Sequence, residues 1–167
     1  MLDYMETITM DKLDIRILDA LQHDGALTQS QLADQVGSTP STCLRRVQRL
    51  KDTGYLERCV FLANPRKLER GLKAIITVIS QDHGRQKLPE FIEKIENEAA
   101  INLAYGTTGE VDAILLGNFT DMEEYRSVCE RLFDSDPHIV RYTTFFAVES
   151  YKQQSAVATD ELSRRLT

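Results

Sequence analysis

Residues 39–54 read TPSTCLRRVQRLKDTG, and this stretch decides the fold of the first part of the chain. Thr39 can cap free backbone N–H groups at a helix start, and Pro40 suits the first helical position because its missing N–H is not needed there. Gly54 tolerates the left-handed conformation with which helices often end. The stretch therefore predicts a helix from Pro40 to Asp52.

The two faces of this helix differ in polarity. At about 100° per residue, Cys43, Leu44, Val47 and Leu50 fall in one stripe, which we expect to pack on other helices. The opposite face is polar and should point outward. It comprises Ser41, Thr42, Arg45, Gln48, Arg49 and Asp52, with Arg46 at the border.

The composition of the outward face favours contact with DNA over simple exposure to solvent. It carries three bases and no acid from Pro40 to Arg49, and Arg can bond bidentately to guanine edges while Ser and Thr reach bases or phosphates. The alternative is the solvated face of a three-helix bundle. We expect Ser41 and Arg45 to contribute to base reading, with Thr42 beside them at the helix N-terminus. The phosphate contacts are expected from Arg46, Arg49 and Lys51.

Helical signals also precede this stretch. A first helix is predicted from about Asp11 to Gln22, and a second opens at Thr28, where Thr28 and Gln31 can form a capping box. The second helix ends at Gly37, so only a short turn separates it from Pro40. This spacing is typical of a helix-turn-helix unit. After Gly54, residues 55–62 alternate and are β-prone, which predicts a strand or wing.

The second half alternates between strand and helix patterns. Asn64-Pro65 marks a linker that continues to about Gly71. Beyond it the patterns predict a β-α-β-β-α-β order, the ferredoxin-like arrangement of a four-stranded antiparallel sheet with two helices on one face. The predicted elements are Leu72–Ser80, Leu88–Glu98, Ile101–Thr107, Val111–Phe119, Asp121–Asp134 and Ile139–Glu149.

Composition excludes several classes of protein. No apolar run approaches the roughly 18–20 residues that span a bilayer, and no export signal is present, so a cytoplasmic protein without membrane association is expected. Cys43, Cys59 and Cys129 form neither a CxxC pair nor a Cys/His cluster, so we expect reduced thiols, no metal and no cofactor. The net charge is −6. A local basic stripe on an acidic protein still suits a DNA reader.

The connection between the two central predicted strands combines glycines, hydroxyl groups and acidic side chains. Residues 105–112 read YGTTGEVD. Glycines let backbone N–H groups approach a carboxylate, and Asp112 could pair with an α-ammonium group, which indicates an amino-acid receptor. A plain hairpin turn, with positive φ at Gly109 and solvated acids, fits the same residues. Glu110 and Asp112 could also be an acid/base pair, but no nucleophile accompanies them, so no enzyme is expected.

Taken in order, these motifs resemble the leucine-responsive and asparagine regulator family, Lrp/AsnC. Residues 10–18, MDKLDIRIL, look like its Leu-Asp-x-x-Asp-x-x-Ile-Leu opening, and residues 37–50 are similar to its helix-turn-helix core. Residues 108–112, TGEVD, resemble its Gly-acid-x-Asp loop, and Thr144 sits where the final strand commonly supplies a Thr. Met10, Ala26 and Ala113 depart from the family pattern, the last of them close to the effector region.

The resemblance implies an α+β protein with an N-terminal winged helix-turn-helix and a C-terminal ferredoxin-like βαββαβ domain for effector binding and oligomerisation. It also implies dimers made through the sheets, frequently four to an octameric ring, with amino-acid effectors bound between dimers. The expected domain bounds are 1–62 for DNA binding, 63–71 for the linker, 72–152 for the sheet domain and 153–167 for a C-terminal tail. The implied effector residues are Thr107, Thr108, Gly109, Glu110, Asp112 and Thr144.

Three functions are open to this sequence. The leading one is a sequence-specific transcription regulator that binds a pseudo-palindromic double-stranded operator and responds to an amino acid. The second is an effector-independent DNA-organising protein of the same fold. The third is a small-molecule-binding or enzymatic domain with a helical appendage that does not bind DNA.

Overall fold

The computed structural model describes residues 10–81 and 88–165. The chain divides into two compact units. Residues Met1–Phe61 and Lys152–Thr167 form the helical unit, and Leu62–Tyr151 form the sheet unit. Within the described ranges, no helix is long and apolar enough to cross a membrane.

The first three helices of the helical unit are α1 (Lys12–His23), α2 (Gln29–Val36) and α3 (Pro40–Asp52). The predicted caps are confirmed. The Thr28 hydroxyl accepts from the Gln31 backbone N–H while the Gln31 side chain accepts from the Thr28 N–H, and Thr39 accepts from the Thr42 N–H. Gly37 ends α2 at φ +65°, so the turn to α3 is short and fixed.

The helical core is apolar and contiguous. Ile17 of α1, Leu32 of α2 and Leu50 of α3 are fully buried or nearly so and belong to one cluster. Cys43 and Val47 join this core as expected. The expectation that Leu44 packs inward is wrong, because 58% of its surface is exposed. Leu44 lies at the edge of the stripe, on the side of α3 away from α1.

Residues 55–62, for which a strand or wing is expected, form no strand. Leu56 still packs on the helical core, and its backbone N–H donates to the Leu50 carbonyl at 3.0 Å. Beyond it the chain is irregular and belongs to no sheet of the described residues. A strand needs a partner for its N–H and C=O groups, and the described part of the chain supplies none for this segment.

The sheet unit follows the predicted order. Its strands are β1 (Leu72–Ser80), β2 (Ile101–Gly106), β3 (Ala113–Phe119) and β4 (Ile139–Phe146). Its helices are α4 (Leu88–Glu96) and α5 (Met122–Cys129), the latter continued by a wider turn at Glu130–Asp134. A 3₁₀ helix at Pro65–Leu68 precedes β1.

The strands form one antiparallel sheet in the order β2-β3-β1-β4. Alternation sorts the side chains onto two faces. Ala74, Ile76 and Val78 of β1 are buried with Phe119 and Phe133 in a second core on the helix side. The ferredoxin-like arrangement is therefore confirmed, with both helices on one face.

The other face of the sheet carries no helix of the described chain. Register places Leu116 of β3 and Phe145 of β4 on either side of Ile75. Leu103, Tyr105 and Phe145 are exposed over about half of their surface. This helix-free face is therefore apolar at the positions where a solvated sheet would be polar.

The C-terminal segment returns to the helical unit and ends in α6 (Asp160–Arg165). Gln22 of α1 holds it by two hydrogen bonds. Its amide nitrogen donates to the Val157 carbonyl at 3.1 Å, and its amide oxygen accepts from the Val157 N–H at 2.7 Å. Thr159 donates to the Asp19 carboxylate nearby.

Candidate functional site

The outer face of α3 is an open groove lined by polar side chains and by one apolar side chain, Leu44. Ser41, Arg45 and Gln48 are exposed along it. The Gln48 side chain donates to the Asp52 carboxylate at 2.7 Å, one turn further on, which fixes the amide. The residues that line the groove are Ser41, Leu44, Arg45, Gln48, Arg49 and Asp52.

The N-terminal turn of α3 carries a chain of hydroxyl groups. Thr39 donates to the Thr42 hydroxyl at 2.9 Å, and its oxygen lies 3.3 Å from that of Ser41. Ser41 is exposed and Thr42 is half-buried. Because hydroxyls both donate and accept, this turn can bond to phosphate oxygens or base edges.

A buried carboxylate anchors the other side of α3. Asp14 of α1 is fully buried, and Arg46 and Arg49 both donate to it, Arg46 at 3.1 and 3.2 Å. Arg46 also pairs with Asp11 at 2.8 Å. This anchor ties α3 to α1 by charge as well as by apolar contact.

The anchor lowers the pKa of Asp11. Burial by itself would raise that pKa, but the Asp14 N–H, the Arg46 guanidinium and the Leu13 N–H outweigh it. The carboxylate is therefore ionised wherever the protein is folded at neutral pH. It caps α1 and pairs with Arg46 at the same time.

The anchor divides the basic residues of α3 into two kinds. The Arg46 side chain is only 21% exposed and the Arg49 side chain 38%, both held by Asp14. Arg45 is exposed and forms no ion pair with any residue that the structure describes. Lys51 is exposed on the last turn. The sequence analysis does not predict the role of Asp14. The signal for it is an acidic residue on the apolar side of α1, where a buried ion pair is needed.

The loop from Thr107 to Asp112 is a tight hairpin turn. Gly109 lies at its tip with φ +116°. The Thr107 N–H donates to the Asp112 carbonyl at 2.9 Å, and the Thr107 hydroxyl donates to the Val111 carbonyl. Thr108, Gly109 and Glu110 are left exposed at the tip, so the outward polar groups of the loop are theirs.

Asp112 holds the loop against β1. Its carboxylate accepts from the Ser80 backbone N–H at 2.7 Å and from the Ser80 hydroxyl at 3.0 Å. Its own N–H donates to the Val78 carbonyl at 2.9 Å. The side chain expected to pair with an α-ammonium group thus orders the loop within its own chain.

Thr144 lies apart from this loop. It is on β4, opposite Ile76, and its hydroxyl accepts from the Tyr125 hydroxyl at 2.7 Å on the helix side. In the sheet order, β1 separates β4 from β3. The structure therefore brings the residues of the Thr107–Asp112 loop together but does not bring Thr144 beside them.

Comparison with known proteins matches the chain in two parts. Residues 10–57 match the family model described as winged helix-turn-helix DNA-binding. Residues 73–157 match the family model described as the Lrp/AsnC ligand binding domain.

Whole-chain relatives agree with both matches. An HTH-type transcriptional regulator of Sinorhizobium fredii is 31% identical over 89% of this chain and 88% of its own. The DNA-binding transcriptional activator DecR of Escherichia coli K12 is 30% identical over 89% of this chain and 97% of its own. The solved complex of transcriptional regulator NMB0573 with L-Met, from Neisseria meningitidis, superimposes with a TM-score of 0.87 at 28% identity, over 92% of this chain and 99% of that one.

Proposed function

Because the chain belongs to the Lrp/AsnC family of DNA-binding transcription regulators, we propose that it reads a pseudo-palindromic operator through α3 as a homo-oligomer that responds to an amino acid. The observation that carries this proposal is the outer face of α3. It combines hydroxyls and a freely exposed arginine on the second helix of a helix-turn-helix, the element that enters the major groove in such units.

Different residues of α3 are proposed to make different contacts with DNA. Ser41, Thr42 and Arg45 lie in the first turns, which face the base edges, and Arg45 is the candidate for bidentate contact with guanine. Arg49 and Lys51 follow toward the helix end and contact phosphates. Arg46 is proposed as a further phosphate contact at the same edge, with its guanidinium positioned by Asp11 and Asp14.

Mobility-shift titrations on the DNA upstream of the protein's own gene test this assignment. Arg45→Ala should relax sequence preference at one position of each half-site, at a cost of about 1–3 kcal/mol. Lys51→Ala should weaken binding to all sequences equally and flatten the salt dependence. Arg66→Ala, an exposed arginine of the sheet unit, is the matched control. Unchanged operator binding in both α3 variants would refute the reading surface.

The helix-free face of the sheet supports a homo-oligomer. Leu103, Tyr105 and Phe145 are exposed there beside half-buried Ile75 and Leu116, and contiguous exposed apolar surface of this kind marks an association site. A two-fold axis through two such faces covers both at once. We propose a dimer through this face and an octamer of four dimers.

Sedimentation of the full chain tests the assembly. Phe145→Asp puts a charge within the proposed contact, at an exposed aromatic side chain of β4, and should convert the oligomer to a monomer with its fold intact. Val140→Asp, at an exposed residue of the same strand outside the Ile75 cluster, is the control and should sediment as the unaltered protein does. An unchanged oligomer in Phe145→Asp would refute the dimer face.

The amino-acid site is proposed at the Thr107–Asp112 loop, between dimers. Asp112 orders the loop through Ser80, so Thr108 and the backbone around Gly109 can meet a carboxylate while Glu110 faces the ammonium group. Thr107 and Thr144 support the loop and the sheet from within. Methionine is the first ligand to test, since the Neisseria regulator was solved with L-Met.

Calorimetry against the amino acids, run beside the mobility-shift assay, tests the effector. Binding that changes operator affinity, and that is weakened at least tenfold in Glu110→Gln, supports the site. Glu123→Gln, at an exposed acid on α5, is the control. DNA binding with no amino-acid response would favour a DNA-organising protein.

We further propose that the chain acts in the cytoplasm and has no catalytic activity, since its relatives are regulators.

A further inference from the structure

Leu44 is an apolar side chain placed in the middle of a polar surface. It is 58% exposed and lines the groove of α3. Ser41 precedes it by one turn and Gln48 follows it by one turn, so its neighbours along the helix face are polar and exposed. Among the described residues of the helical unit, α3 packs into the core through Cys43, Val47 and Leu50, and Leu44 is not part of that core.

The anchor at Asp14 fixes which way Leu44 points. Arg46 and Arg49 hold one side of α3 against α1, and Leu44 lies on the other side of the helix. Its direction is therefore set by packed and ion-paired groups and does not depend on the side chain itself. A leucine held in this way presents methyl groups at a defined place beside Arg45.

Only one feature of the DNA major groove matches an apolar side chain. Phosphates and most base edges offer charge, donors or acceptors, which leucine cannot satisfy, whereas thymine presents its C5-methyl group. Leu44 lies in the first half of α3, in the part of a recognition helix that faces base edges.

We propose that Leu44 is a specificity-determining residue that contacts the C5-methyl group of one thymine in each operator half-site. The inference rests on the proposed reading surface and deepens it. Arg45 then reads guanine by hydrogen bonds while Leu44, its neighbour in the chain, reads thymine by apolar contact. Contact with one methyl group is worth about a three- to fivefold change in affinity.

The test uses the full chain and DNA selected by it. Sites are first selected from random double-stranded DNA with the unaltered protein and with Leu44→Ala. Each thymine of the selected site is then replaced by deoxyuridine, which removes only the methyl group, and both proteins are titrated. One position per half-site should weaken the unaltered protein about three- to fivefold and leave Leu44→Ala unchanged.

Leu68→Ala is the matched control, since Leu68 is 59% exposed in the sheet unit. It should keep the full deoxyuridine effect, and all three proteins should unfold at the same temperature. If the unaltered protein selects a site but deoxyuridine affects it and Leu44→Ala equally at every position, the role of Leu44 is refuted while the reading surface stands. If Leu44→Ala changes the oligomeric state, the leucine belongs to a protein contact and the inference fails. If no site is selected at all, the reading surface itself fails.

Discussion

The two units of the chain differ in where their ion pairs lie relative to the core. The helical unit buries a carboxylate, Asp14, between two arginines of α3. In the sheet unit, every described side chain in the core is apolar, and the ion pair between Arg70 and Glu124 is about one-third exposed. An ion pair thus enters the core of one unit, whereas in the other it lies at the edge of the core.

The difference follows from what each unit presents to a partner. A recognition helix must keep a fixed rotation about its axis, and a buried ion pair gives direction that apolar packing lacks, although its net contribution to stability is small. The sheet unit takes its order from its backbone ladder and from aromatic contacts such as Phe119 with Tyr125, 5.5 Å between ring centres. The exposed apolar side chains of the sheet unit lie on the helix-free face, where a second copy of the chain can cover them.

The largest effect is expected when the buried charge is removed from the helical unit. Asp14→Ala leaves Arg46 and Arg49 without their shared carboxylate and removes the acceptor for the Asp11 N–H, 3.0 Å away. Breaking a buried pair in this way costs about 3–5 kcal/mol. Hydrogen exchange of the full chain should show protection lost in α1 and α3 and retained in β1.

Asp34→Ala is the control for this variant, because Asp34 is an exposed acid on α2. It should change the free energy of unfolding by less than about 0.5 kcal/mol. Equal, small effects of the two substitutions would show that the buried carboxylate does not distinguish the units.

The sequence predicted what short-range patterns determine. Capping at Thr28 and Thr39 involves neighbours within three residues, and strand alternation from Leu72 onward is visible in any window, so helices, strands and their order were foreseen. Residues 55–62 were not, because β-propensity says nothing about whether a partner strand exists. The ends of the strands differ by a few residues from the predicted ones; β3, for example, begins at Ala113 where the pattern predicts Val111.

The site was predictable only in part for the same reason. The polar face of α3 follows from its period, but the direction of Leu44 depends on contacts between Asp14 and Arg46, which are far apart in sequence. The roles of Asp112 and Thr144 likewise depend on partners, Ser80 and Tyr125, that only the folded sheet brings close.

A second variant tests whether the helical unit depends on the C-terminal segment. A chain ending at Tyr151 lacks the two hydrogen bonds between Gln22 and Val157 and the one between Thr159 and Asp19. At about 0.5–1.5 kcal/mol each, the loss of these three bonds should destabilise the helical unit by about 1.5–4.5 kcal/mol. Exchange should speed up in α1 and stay unchanged in β3.

Gln22→Ala isolates the side-chain contribution and should reproduce part of the effect in the full chain. If truncation left exchange in α1 unaltered, the segment would contribute nothing to the helical unit, and the helical unit would be complete without it.

A smaller effect is expected from a neutral hydrogen bond in the sheet unit. Tyr125→Phe removes the hydroxyl that donates to Thr144 at 2.7 Å but keeps the ring, which meets Phe146 edge-on at 5.0 Å. The expected loss is about 1 kcal/mol, measured by chemical denaturation. A loss above about 3 kcal/mol would show that the sheet core depends on a polar group as strongly as the helical unit depends on Asp14.

The smallest effect is expected at the partly exposed ion pair between Arg70 and Glu124, and it should depend on pH. Partial burial would raise the pKa of Glu124, but the Thr120 N–H and hydroxyl and the Arg70 guanidinium outweigh it and hold that pKa below its ordinary 4.5. A carboxyl whose pKa is lowered by folding stabilises the protein above the ordinary value, and this contribution disappears as the pH falls through the lowered one.

Arg70→Met should therefore cost less than about 1 kcal/mol at neutral pH, since the pair is partly solvated. The difference from the unaltered protein should shrink as the pH falls below 4.5, down to a remainder from the bond between Arg70 and the Asn118 carbonyl at 3.1 Å. Denaturation at a series of pH values measures this, with Glu124→Gln as the control that removes the titrating group. A difference that stayed constant with pH would assign the whole effect to the Asn118 contact, and one above about 2 kcal/mol would mean that the sheet unit also relies on structural charge.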